Sequence, residues 1–463
     1  MKKLDLHKLR FWLFTTLLVT APLSKYPSIA SPLYNFSSFR IGFYPVLSLL
    51  FVLCTFPFSL KSLSKLYQQS RTSILSIAVL VFVSLMGLTT AIYKARSILL
   101  VLSVLMLLCL LVSAWSYIKS ELSPNKYPQL VKAVLIAGCV YGVVSVLQFS
   151  FAGFGHESFG LLCSGCNSQV FGFPRISGFA AEPQFHANAL LIYYFIGLGV
   201  FYSSRSRLAL SSAVLSLIGI GLTFSRGAYL AAGLSSVLFF ILLRLQKLVQ
   251  IKTVALHFGI LVVAVFIVAG LFIASSSYRY RSTPDIAYKT FRSMVQQASL
   301  NVIKLPESKS TIGFMPSGLV QASGQERIGA ANLAIKAWNF NFRTRVFGVG
   351  LGNLGPFTIQ NISANVPENL TVYIYYILVL SELGIVGLFA LLSMFAGTLK
   401  GFMKRFWNSK NAAVYSGIFC LGIAFLIQYC FFGSYINVPY IWLWFGIILG
   451  LSPKVRNSAT LEI

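Results

Sequence analysis

"GIGLTFSRGAYLAAGLSSVLFFILL", Gly219 to Leu243, is apolar along almost its whole length and carries one charge, Arg226. As a single membrane helix it would hold a guanidinium in mid-bilayer, at a cost of about 2.5–3.5 kcal/mol on insertion scales. The apolar run begins near 208, and 208–243 is 36 residues, whereas a hydrocarbon core about 30 Å thick needs roughly 20. Two helices, about 208–225 and 228–243, remove the cost by placing Arg226 at the turn between them.

The rest of the chain has the same character. Of its 463 residues 57% are hydrophobic and 10% charged, and the mean hydropathy is +0.78. A soluble chain of this length could not cover itself in water with so few charges. Further runs near span length fall at about 11–23, 42–58, 73–92, 97–117, 133–153, 184–203, 254–275, 370–399, 412–431 and 435–451. The expected fold is therefore all-α, a polytopic transmembrane helix bundle of about twelve spans forming one membrane domain. Nine spans occupy 1–275, a long extracytoplasmic loop 276–369, and three spans with a tail 370–463. The first run follows "MKKLDLHKLR" as a signal peptide would, but "VTAPLSKYPSIA" is a poor cleavage site, and the later topology works best if the segment stays.

Orientation follows from Lys and Arg. With the N-terminus inside, 21 of the 37 basic residues fall at cytoplasmic span ends. Of the other 16, ten lie in the loop 276–369, and loops longer than about 60 residues are largely exempt from the rule. Both termini are expected in the cytoplasm and Arg226 on the outer side. The net charge of +27 is then mostly a topological signal, reinforced by anionic lipid. No basic helix with interleaved aromatics points to nucleic acid. The basic charge left outside, where orientation does not ask for it, points to an anionic ligand.

Five of the seven cysteines lie in or near spans, as packing residues. Cys163 and Cys166, in "LLCSGCNSQ", sit in an outer loop. Zinc would need two further ligands, and none is evident; a loop disulfide or two free thiols fit. In the long loop Phe291, Met294, Val295, Ala298, Val302 and Leu305 form a helical stripe, and a second helix over about 326–340 puts Ile328, Ile335 and Trp338 on one side. Such helices lie on the outer leaflet or pack on the bundle. "FGVGLGNLGPF" has Gly350, Gly352 and Gly355 spaced as in a dinucleotide fingerprint. The next stretch, "PFTIQNISANVP", reads as unable to open a helix, so the glycines are expected to make a tight turn instead.

Four outer elements stand out: "PRISGFAAEPQFHANALL" with Arg175 and Glu182, the turn at Arg226, the loop residue Arg327, and "NVPENLTVYIYYILVLSELGIVGLF" with Glu368 and Asn369. "RISGFAAEP" entering a span, "TFSRGAYLA" at a turn, "FGVGLGN" in a loop after span nine and "NLTVYIYYILVLSELGIVGL" resemble, in order and topology over roughly 170–400, the O-antigen polymerase and ligase superfamily. The resemblance implies a metal- and cofactor-independent glycosyltransferase of the bacterial inner membrane. Its donor would be a lipid-linked saccharide, typically on undecaprenyl pyrophosphate, its acceptor a glycan or lipid, and its neighbours other polysaccharide-assembly proteins. The ligase branch carries a histidine before the asparagine of the last motif, where this sequence has Glu368. That departure points to a polymerase rather than a ligase.

Elementary chemistry fits. Fixed guanidinium groups bind a pyrophosphate leaving group bidentately and stabilise its charge; Arg226 and Arg327 are the candidates, with Arg175 third. A carboxylate at a partly apolar interface suits the base that takes the acceptor proton. Glu368 is the first choice and Glu182 the reserve, with Asn369 beside the substrate. Each also has a structural reading. Arg226 can snorkel to headgroups, Glu182 and Glu368–Asn369 can serve helix N-termini, and Arg327 can be a surface cation. His186 reads as a buried hydrogen-bonding histidine, His156 as loop, and Glu382 before Gly384 as the mark of a helix irregularity. A lipid or saccharide transporter is the competing class, but no internal repeat is evident and acids at mid-span are few.

Reporter fusions after Lys132 and Lys252 should report cytoplasm and one near Pro306 the outer side. A cytoplasmic signal near Pro306 would remove the outer-face site.

Overall fold

The computed structural model describes residues 5–23, 28–30, 40–153, 169–170, 173–180, 182–250, 317–370, 372–406, 411–433 and 438–451, with a few helical positions between 259 and 271. The stripe at 291–305, Cys163, Cys166, His156 and most of the expected span at 254–275 lie outside the described residues. The chain is a helical, membrane-embedded bundle: α1 (Leu6–Val19), α2 (Phe43–Gln69), α3 (Arg71–Leu88), α4 (Lys94–Ser120), α5 (Tyr127–Gly153), α6 (Pro183–Ser204), α7 (Arg207–Leu222), α8 (Arg226–Leu245), α9 (Ser317–Trp338), α10 (Phe342–Phe347), α11 (Leu354–Asn361), α12 (Tyr375–Phe406), α13 (Ala412–Gln428) and α14 (Pro439–Gly450). Two antiparallel ribbons are appended, Ser28–Ala30 with Arg40–Gly42 and Gln169–Val170 with Phe173–Pro174.

Among the described residues, seven helices are long and apolar enough to cross a membrane: α2 to α6, α8 and α12. The apolar helices α7, α13 and α14 are shorter, at 16, 17 and 12 residues. The outer helices present Leu53, Leu75, Phe82, Leu102, Leu234 and Phe389 to their surroundings, a surface that suits lipid rather than water.

The core is built on two helices that are apolar all round. Every residue of α6 from Phe185 to Val200 is buried, as expected of a helix without a polar face, and α5, α7, α8 and α13 surround it. All twelve residues of α14 are buried, against α4 and α12. Between apolar helices in lipid the drive to associate comes from close packing, so small residues mark the crossings. A β-carbon at Gly199 would lie 2.9 Å from the Val414 Cα, and Gly417 is pressed onto the Phe195 carbonyl.

At the end of the bundle away from Arg226, Arg10 of α1 joins three helices. Its Nη1 lies 2.6 Å from Glu121 Oε2, its Nε donates to the Cys54 carbonyl at 2.9 Å, and the Phe58 ring lies 3.9 Å below the guanidinium.

The helix α12 is interrupted as the sequence suggests: Gly384 has φ 69°. The glycines before α11 make the expected tight turn, with φ of 75°, 92° and 73° at Gly348, Gly350 and Gly352. The two irregularities fit each other. Gly348 abuts the Glu382 carbonyl and Gly384 abuts Val346, and the Val349 and Gly350 N–H groups donate to the Ser381 and Glu382 carbonyls at 2.9 Å each.

Two expectations are corrected. A helix does follow the glycines, α11, because Pro356 falls in its first turn, where an N–H is not needed. The last outer motif does not open a helix at Glu368–Asn369. α12 starts at Tyr375, after a segment whose end is held by the Tyr375 N–H to the Tyr429 carbonyl at 2.9 Å, so these two residues do not serve a helix N-terminus. The loop helix α9 packs by Ala330, Ala331, Ala334 and Ala337, leaving Ile328 and Ile335 exposed.

Removing one partner of a buried pair leaves an uncompensated charge, at about 3–5 kcal/mol. Arg10→Ala should lower the thermal stability of the purified protein on that scale, and Arg10→Met with Glu121→Leu should recover most of it.

Candidate functional site

The turn at Arg226 is built from the unsatisfied carbonyls that end α7. A helix leaves its last four C=O groups without partners. Here the Thr223 hydroxyl takes Ile220 at 2.7 Å and the Tyr229 hydroxyl takes Gly221, while Arg175 takes the two carbonyls just beyond the helix, Nε to Thr223 at 3.1 Å and Nη2 to Phe224 at 3.3 Å. Phe224 accepts a left-handed φ of 51° to close the turn. Arg226 then opens α8, whose N-cap Ser225 makes no side-chain cap bond. A helix start is itself partly positive. The Arg226 side chain is exposed, and no hydrogen bond or ion pair holds it among the described residues.

Arg175 arrives on a loop that is fixed from below. Gln148 of α5 grips Gly178 twice, its Nε2 donating to the Gly178 carbonyl at 3.1 Å and its Oε1 accepting the Gly178 N–H at 3.0 Å. Gly178 has φ 55° and rests on the ring of His186, where a side chain would collide. His186 is the buried, hydrogen-bonded histidine expected, 2.8 Å from the Ser145 hydroxyl. Glu182 is the N-cap of α6, with Pro183 at the first helical position; exposed, it accepts from Gln184 at 2.8 Å.

Arg327 of α9 lies over the Tyr373 ring, 4.9 Å from its centroid. The electrostatics tie these elements together. Burial lowers the Arg175 pKa; Tyr229 opposes that, the Arg327 cation adds to it, Glu182 opposes it, and Arg226 adds to it. Arg226, Arg327 and Glu182 thus each lie within electrostatic reach of Arg175, so that four of the six site residues expected from sequence gather around one of them. An arginine remains a cation even so, and three cations face one carboxylate.

Glu368 and Asn369 are placed elsewhere on this end of the molecule, on the loop before Tyr373. Both are exposed, and their partners come from the corner between α3 and α4. Arg96 Nη1 donates to Asn369 Oδ1 at 2.8 Å and to the Glu368 carbonyl at 3.3 Å. The Tyr93 phenol lies beside the Glu368 carboxylate, whose hydrogen-bonding capacity, then its charge, raises the Tyr93 pKa. Neither Tyr93 nor Arg96 was singled out from sequence. Arg96 left one signal, as part of the basic charge expected outside, where orientation does not ask for it.

Among the described residues no three His, Cys, Asp or Glu side chains come together as a metal would need. No family model matches the chain, and no curated protein sequence matches it.

An anion should bind where the arginines meet. Inorganic pyrophosphate, titrated into the solubilised protein by calorimetry, should lose about 10-fold in affinity with Arg226→Ala and with Arg327→Ala, the scale of one charge-assisted hydrogen bond. Unchanged affinity in both variants would mean that this is no anion site.

Proposed function

We propose that the chain is a glycosyltransferase of the bacterial inner membrane that polymerises saccharide units carried on undecaprenyl pyrophosphate, at the extracytoplasmic face and without a metal ion. In this reading the bundle has about twelve spans, both termini are cytoplasmic, and the Arg226 end faces outward. The observation that carries it is that Arg226 and Arg327, from separate stretches of sequence, both lie within electrostatic reach of Arg175 at one end of a membrane bundle. A concentration of positive charge at a membrane surface suits a phosphorylated lipid.

In the reaction an acceptor hydroxyl oxygen forms a bond to the anomeric carbon. The bond from that carbon to the pyrophosphate oxygen breaks, the lipid pyrophosphate leaves with the electron pair, and the hydroxyl proton passes to a base. Arg226 and Arg327 present their guanidinium groups to the leaving group, where fixed charge is worth most as negative charge develops. Arg175 contributes field but spends its Nε and Nη2 donors on the turn, so it holds Arg226 in place. Glu368 is the base, on the loop that runs on to Tyr373 beneath Arg327. Asn369 lies beside it, and Glu182 is the reserve. Glu368 stands where the ligase branch of the resembling superfamily has histidine, which favours polymerisation over ligase-type transfer to a lipid or protein acceptor. A transport reading draws on one observation, the interruption of α12 at Gly384 beside buried Glu382. That carboxylate, however, accepts the Gly352 N–H at 2.9 Å, a use internal to the fold.

With donor and acceptor in a reconstituted assay, Arg226→Lys should reduce turnover, since it keeps the charge and loses the planar fork, and Arg226→Ala should reduce it further. Glu368→Gln should cost about 10²–10⁴-fold, the usual range for a general base, while donor still binds. Near-normal turnover by Glu368→Gln would pass the role to Glu182. Activity should persist in EDTA; loss restored by magnesium would sink the arginine-only account of the leaving group.

A further inference from the structure

The corner between α3 and α4, "TTAIYKARS" (Thr89–Ser97), is joined to the glycine turn and to the Glu368 loop by a continuous polar network. Buried Asn353, at the end of the glycine turn, is its centre. Its Oδ1 accepts the Tyr93 N–H at 3.1 Å, and its Nδ2 donates to the Leu351 carbonyl at 3.0 Å and to the Ser97 hydroxyl. Ser97 in turn donates to the Leu351 carbonyl at 2.7 Å. A β-carbon at Gly350 would lie 2.8 Å from the Gly87 carbonyl, so the glycine turn lies directly on the end of α3. The corner is therefore rigid where it meets the loop. From it Arg96 donates to the Glu368 backbone and the Asn369 side chain, and Tyr93, whose N–H is held by Asn353, sets its phenol beside the Glu368 carboxylate.

We infer that Tyr93 and Arg96 are positioning residues for Glu368: Arg96 fixes the backbone that carries the carboxylate, and the Tyr93 hydroxyl fixes the carboxylate itself. The inference rests on Glu368 being the base of the proposed reaction. An exposed carboxylate on a loop has many rotamers, and a base must be held within hydrogen-bond reach of the proton it takes. One bond to the backbone and one to the side chain remove that freedom without burying the group. Tyr93 is 47% exposed, so little packing depends on its ring, and its polar contact is what distinguishes it from phenylalanine. Among the described residues, Arg96 and Tyr93 are the charged and titratable groups shown against it. α11, whose Gly355 lies against the Glu368 carbonyl, carries no charged residue. The raised Tyr93 pKa agrees, because a phenol that donates to a carboxylate gives up its proton less readily.

The test uses the full chain in lipid nanodiscs, with Tyr93→Phe, Arg96→Ala, Arg96→Lys and Glu368→Gln, each shown by its thermal melt to be folded. The tyrosinate absorbance that separates wild type from Tyr93→Phe is titrated, and the same difference is taken in the Glu368→Gln background. With the carboxylate gone, Tyr93 should ionise at lower pH. In the turnover assay Tyr93→Phe and Arg96→Ala should each lower kcat about 3- to 10-fold, the scale of one lost hydrogen bond. The donor KM should stay near its original value. Arg96→Lys, which keeps a donor for both acceptors, should recover most of the loss. An unmoved Tyr93 titration, a normal kcat in both variants while Glu368→Gln is impaired, or a loss confined to KM overturns the inference. If Glu368→Gln itself turns over normally, the base assignment fails and the positioning role with it. The tyrosinate titration still shows whether Tyr93 and Glu368 touch, so the two failures are told apart.

Discussion

A guanidinium in hydrocarbon has nothing to hydrogen-bond to, and the chain answers this by ending one helix at Leu222 and starting the next at Arg226. That single break shapes the whole of this end of the bundle. It leaves carbonyls in the turn after α7 that must be satisfied, and Arg175 is drawn in to take those of Thr223 and Phe224. Arg175 in turn fixes the loop before α6, which Gln148 and His186 support from below. One cation therefore caps the turn at whose tip another stands exposed, and the two carry the field on which the proposed anion site depends.

The same rule governs the second irregular region. Backbone that leaves helical geometry inside a membrane protein is tolerated where protein, rather than lipid, receives its N–H and C=O groups. At Gly384 the interrupted helix meets the glycine turn 348–352, and each provides what the other lacks. The turn's N–H groups go to the carbonyls of Ser381 and Glu382 and to the Glu382 carboxylate, and glycines on both sides let the two backbones touch. Through Asn353 and Ser97 this junction reaches the α3–α4 corner, and through Arg96 and Tyr93 the loop of Glu368. The proposed base is thus tied to the fold by backbone contacts spread from Gly87 to Gly384. A change at Glu382 or Asn353 would act on Glu368 through that junction without touching substrate.

Much of this was legible in the chain. The two-helix reading of 208–243, the irregularity at Gly384, the tight glycine turn and the buried His186 each follow from a local rule: an arginine cannot sit mid-span, glycine admits positive φ, and a histidine inside an apolar helix needs one polar partner. The short helix α11 is not evident in "PFTIQNISANVP", although a proline in a first turn removes no bond. The face by which α9 packs was not legible either. Isoleucine carries more apolar surface than alanine, but alanine lets two backbones approach, and in close helix packing approach decides.

The sequence by itself determined that the chain is a membrane-embedded helical bundle and that arginine and acid collect outside its spans, because hydropathy and charge act residue by residue against the solvent. Only the tertiary structure decided which of these residues meet. Arg226 and Arg327 come within electrostatic reach of Arg175 because the carbonyls of the turn after α7 need a donor and because α9 packs on α12. Glu368 lies beside Tyr93 and Arg96, more than 270 residues earlier, because the glycine turn 348–352 and Gly355 let distant backbones come into contact. Such meetings depend on the geometry of chain crossings, and no single stretch of sequence contains it.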